Sequence, residues 1–122
     1  MDELKIGPEA QQILIELQTY QQQMQTVMLQ KESLNIQKME NDKAIEELDK
    51  TTHDEVFKTV GPILIKSTKK DLISELREKQ ETIDLRLKTM QKQETRIRDK
   101  LKEAQDKFQE MLKGPMAKGS AE

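Results

Sequence analysis

The chain has 122 residues, enough for one domain of ordinary size, with two phenylalanines, one tyrosine and no tryptophan; that argues against a compact globule, whose core leans on aromatics. Its 36% charged residues sum to a formal net charge of −2, which gives no overall field for nucleic acid or an anionic membrane. Cysteine is absent, excluding disulfides and thiolate metal sites, and no apolar run approaches the ~20 residues that cross a bilayer.

The opening stretch, MDELKIGPEA, is acidic and lacks an apolar signal core, so a cytoplasmic protein is expected. Every proline follows a glycine, at Gly7-Pro8, Gly61-Pro62 and Gly114-Pro115, and neither residue type interrupts 9–60 or 63–113. Glycine and proline are the strongest local breakers, so their absence predicts two long ordered stretches. A single domain over 1–122 is expected, with a first helix over 9–52, a β-hairpin over 55–67, a second helix over 69–113 and a flexible tail over 114–122. Pro8 suits the first turn of a helix, where its missing N–H costs nothing, and Glu9 suits the positive end.

In the first stretch, heptad positions 10, 13, 17, 20, 24, 27, 31, 34, 38, 41, 45 and 48 are apolar at nine of twelve places. Lys31, Lys38 and Asn41 are the exceptions. Met28, Leu29, Ile36 and Met39 lie off this frame and predict a register shift around Lys31–Asn41, or else a face lining a cavity, because 3.6- and 3.5-residue periods drift apart. In the second stretch, positions 73, 76, 80, 83, 87, 90, 94, 97, 101, 104, 108 and 111 are apolar at ten of twelve, with only Gln80 and Glu94 polar. Such repetition over about six heptads is a coiled-coil seam rather than the shorter, wider stripe of a globular bundle. Each helix would span about 60 Å. Two helices of equal length joined by a short connector fold back as an antiparallel pair, open at the chain ends. Residues 1–50 carry five basic and ten acidic side chains, and 71–122 carry twelve and eleven, an asymmetry that suits helices lying side by side.

Between them stands VFKTVGPILIK, Val56 to Lys66. Its β-branched and aromatic content predicts two strands. Gly61-Pro62 fits a type II′ loop, Gly taking the positive φ and Pro the next position, so that Val60 pairs with Ile63 and Lys58 with Ile65. One face then carries Val56, Val60, Ile63 and Ile65, and the other Phe57 and Leu64. Neither face is built for water, yet two strands alone are marginal and leave two open edges. The hairpin therefore reads as an assembly device, its residues Val56, Phe57, Val60, Gly61, Ile63, Leu64 and Ile65 adding to strands of other chains.

Catalytic chemistry finds no footing. His53 is the sole histidine and reads as a solvated junction residue, with no partner set for a metal or a nucleophile. No GxxxxGK[ST] loop is present to hold a nucleotide. ETRIRDKLKE interleaves Arg96, Arg98, Lys100 and Lys102 with Glu94, Asp99 and Glu103, the pattern of a salt-bridged helix face rather than a phosphate site. No enzyme, cofactor or metal is expected.

Helix, central hairpin and KKDLISEL opening a second helix of equal length together resemble the prefoldin family, and within it the β-type subunits of archaeal kind. The points of likeness are Val56–Lys58, Gly61 and Ile63–Ile65, with one hairpin where α-type subunits have two. The resemblance implies a mainly α fold, a long antiparallel coiled coil whose hairpin completes an oligomeric β-barrel. It implies an ATP-independent co-chaperone: two α-type and four β-type subunits joined through their hairpins, with coiled-coil tips that hold unfolded polypeptide and pass it to a group II chaperonin. The tips here carry apolar residues in excess of the seam, and the expected client contacts are Leu4, Ile6, Ile13, Leu14, Leu17, Phe108, Met111, Leu112 and Met116. Methionine suits a surface that adapts to many partners. The rival reading is a structural coiled-coil spacer or tether.

Overall fold

The computed structural model describes residues 7–121, with side chains for 7–113. The order is α1 (Pro8–Lys50), β1 (Glu55–Val60), β2 (Ile63–Thr68) and α2 (Lys69–Ala121). The chain divides into two compact units, residues 30–90 and the residues up to Leu29 with those from Gln91 onward.

In the unit of residues 30–90 the hairpin forms as its sequence predicts. β1 and β2 pair antiparallel with Val60 opposite Ile63 and Lys58 opposite Ile65. Gly61 has φ +57°, the conformation that a side chain disfavours. The helices leave the hairpin through a tied junction. The Lys69 N–H donates to the Asp54 carbonyl at 2.8 Å, and the Lys69 ammonium to the carbonyl of Thr51 at 2.9 Å and of Asp49 at 3.4 Å. One lysine thus closes the hairpin root and caps the negative end of α1. Thr68 caps the start of α2, its hydroxyl accepting from the Asp71 N–H at 3.1 Å, with a carboxylate at the same position to complement the positive end.

Farther along this unit, Ile83 is 3% exposed and Leu34 is buried. Asn41 is buried and donates both to the Leu76 carbonyl and to Gln80 Oε1, at 2.8 Å each. Its own Oδ1 has no hydrogen-bond partner. Lys38 reaches Asp84 at 3.0 Å. These pairings run antiparallel, and they answer the register question. All twelve predicted seam positions of α1 are buried or half-buried, Lys31, Lys38 and Asn41 included, while Met28, Leu29, Ile36 and Met39 are exposed. The anticipated register shift does not occur. Polar side chains hold the frame because their heads find partners and a lysine stem can lie along apolar surface.

In the other unit the core is Ile13, Leu17 and Ala104, with Leu14, Tyr20, Leu101 and Phe108 packed against it. Pro8 occupies the first position of α1, and the Gln11 N–H makes the first helical bond to the Gly7 carbonyl at 2.9 Å. Glu94, a polar position of the predicted seam, is buried, with Arg98 of the next turn bonded to it. The helix stop expected at Gly114-Pro115 is absent, since α2 continues to Ala121. A proline so late in a helix removes one intrahelical bond, here to the carbonyl of exposed Met111, which solvent can satisfy.

Candidate functional site

Apolar side chains stay uncovered along the helices at Met28, Leu29, Ile36, Met39 and Leu85, and on two further surfaces. The first is the hairpin. Alternation places Val56, Lys58, Val60, Ile63, Ile65 and Ser67 on one face and Glu55, Phe57, Thr59, Leu64, Lys66 and Thr68 on the other. The half-buried positions, Val56, Lys58 and Ser67, all fall on the first face. That face is tied to α2 by the Lys58 ammonium, 3.1 Å from Glu75. Lys66 and Glu55 pair at 3.5 Å on the second face, which is exposed throughout.

Five large apolar residues of the hairpin stay exposed, from Ile65 at 39% to Leu64 at 69%, with Phe57, Val60 and Ile63 between. They sit on a two-stranded sheet whose outer edges are both unpaired among the described residues. Water is a poor neighbour for such a ribbon, because unpaired backbone edges and contiguous apolar surface both favour added strands. All seven residues read from the sequence as the assembly set lie in this ribbon, Val56 half-buried and Gly61 at the turn. His53 is exposed at the junction, as its sequence position implies.

The second surface is the open end. Leu112 is 53% exposed, Met111 36% and Ile15 56%. Leu14 and Phe108 are half-buried against the local core. Ile13 and Leu17, expected as client contacts, are instead buried in that core, packed with Ala104, Leu101 and Phe108. Leu4 and Ile6 lie outside the described residues, as does the side chain of Met116. Ile15 counts, with Leu14, among the apolar residues that the sequence places beside the seam at this end. Its signal was its outward heptad position, where an isoleucine has no partner within the helix pair.

A prefoldin subunit family model matches residues 11–115. The prefoldin β subunit of Pyrococcus furiosus is 42% identical over 113 residues, covering 92% of this chain and 97% of that protein. That of Archaeoglobus fulgidus is 39% identical over 109 residues, 88% of this chain and 94% of its own. Among solved structures, the prefoldin β subunit from Thermococcus strain KS-1 superposes with a TM-score of 0.81 at 38% identity, covering 88% of this chain and 96% of that one.

Proposed function

Because the chain belongs to the prefoldin family, as a β-type subunit of a hetero-oligomeric chaperone complex, we propose that its hairpin and its open helix ends divide the work of assembly and capture. The hairpin joins those of α-type subunits and further β-type copies, two α and four β, into a β-barrel body in the cytoplasm. The open helix ends bind non-native polypeptide without ATP and deliver it to a group II chaperonin. The observation that carries this reading is the exposure of five apolar residues on the hairpin and of Ile15, Met111 and Leu112 on the end segments of the helices.

The capture surface centres on Leu14, Ile15, Met111 and Leu112, with Leu4, Ile6 and Met116 added from the chain ends. Phe108, half-buried, adds to it, whereas Ile13 and Leu17 are buried in the local core and do not. Hydrophobic contact of this kind is non-directional, and flexible methionine repacks against clients of differing sequence.

Replacing Met111 and Leu112 together by serine tests the division. Aggregation of a denatured client is expected to be suppressed less well, with the native mass of the assembled complex and its thermal midpoint unchanged. Full protection by the assembled double variant would overturn the assignment of the ends to capture.

A further inference from the structure

One groove lies apart from the hairpin ribbon and within the unit of residues 30–90. It has a volume of about 450 Å³ and is lined by Gln30, Leu34 and Gln37 of α1 and Arg86 and Met90 of α2, among others. Leu34 is buried and Met90 half-buried, so its floor is apolar, while Gln30, Gln37 and Arg86 are exposed at its rim.

Arg86 is the one charged side chain of the lining. Lys38, Lys58 and Lys66 of this unit are matched, with Asp84, Glu75 and Glu55, whereas Lys43, Lys70, Arg77, Lys79 and Lys88 have no ion pair among the described residues; of the unmatched cations Arg86 is the one that lines the groove. Among the described residues Arg86 has no ion pair and no side-chain hydrogen bond. Its sequence neighbourhood explains why. The residues three and four places away on α2 are Thr82, Ile83, Thr89 and Met90, none a carboxylate. Across the groove α1 offers amides and a hydroxyl. An unneutralised guanidinium beside an apolar floor favours an arriving carboxylate, because its fork of donors matches that group and the groove contains no competing one. The primary amides of Gln30 and Gln37 donate and accept as peptide groups do.

We propose that this groove binds an extended polypeptide segment carrying an acidic side chain next to an apolar one. The carboxylate meets Arg86, the apolar side chain rests on Leu34 and Met90, and the segment's peptide groups bond the two glutamines. The site stands on its own residues and does not depend on capture at the helix ends.

Methionine methyl groups report on the test, since Met90 lies in the groove and Met111 at the open end. The full-length chain, ¹³C-labelled at its methionine methyls and assembled with an α-type subunit, is titrated with a short peptide of leucine, glutamate and glycine. A second titration uses the same peptide with glutamine for glutamate. The Met90 resonance is expected to move with the glutamate peptide. The glutamine peptide is expected to bind about threefold to fivefold more weakly, and Arg86→Gln to erase that difference at unchanged native mass. Arg86→Glu is expected to turn the preference to a lysine-bearing peptide. Equal binding of the glutamate and glutamine peptides by the unmutated protein would overturn the proposal. So would a Met90 resonance that stays fixed because a neighbouring subunit covers the groove. Movement confined to Met111 would also overturn it while leaving the proposed function standing.

Discussion

The helix seam and the hairpin place the same residue types in opposite circumstances. Ile13, Val27, Leu34 and Ile83 are each under a tenth exposed, whereas Phe57, Val60, Ile63, Leu64 and Ile65 keep between 39% and 69% of their surface. The seam is satisfied inside one chain, because each helix supplies the other's apolar neighbours. The hairpin is not, and its edges lack backbone partners among the described residues as well. Stability of the single chain therefore resides in the seam, and the demand for other chains resides in the ribbon.

Substitutions two residues apart on α2 sharpen this contrast most. Ile83→Ala opens a cavity at a position 3% exposed and should cost about 3 kcal/mol, read by denaturant unfolding. Leu85→Ala, at a position 64% exposed, should stay within about 0.5 kcal/mol of the parent. Next in size, Gly61→Val forces a β-branched residue to φ +57°. That should cost about 1–3 kcal/mol, seen as faster amide exchange across the Val60–Ile63 pair with the seam protected as before. Thr68→Ala removes the helix cap over Asp71 and should cost about 1 kcal/mol, with lost exchange protection confined to the first turn of α2. The smallest effect belongs to Lys58→Ala. The ion pair with Glu75 is partly exposed, so thermal melts should show a loss below about 1 kcal/mol that vanishes in high salt.

Much of this was legible in the residues. The breaker positions set the hairpin between two helices, and the Gly-Pro pair fixed its register to the residue, because only one placement gives glycine the positive φ and proline the following position. The heptad frame located every seam position of α1. What escaped were features that depend on a partner across the pair. Asn41 is polar by identity and buried by context, meeting Leu76 and Gln80 of the other helix. The register shift predicted from Met28, Leu29, Ile36 and Met39 failed for the same reason, since polar seam residues with partners need no relief. The continuation of α2 past Pro115 was hidden because proline disfavours helix interiors in general, and the residues alone do not show that the lost bond falls at an exposed Met111. The bridging role of Lys69 and the open groove beside Arg86 have no local pattern, for each joins residues far apart in the chain.

The central claim is that the ribbon's uncovered apolar residues are completed by other subunits. Native mass spectrometry of the chain mixed with an α-type subunit tests it, comparing the parent with a variant carrying Phe57→Glu, Val60→Glu and Leu64→Glu, with helicity followed by circular dichroism. A hexamer-sized species for the parent, and only separate subunits for the variant at full helicity, is the predicted result; a hexamer-sized species from the variant would contradict the account.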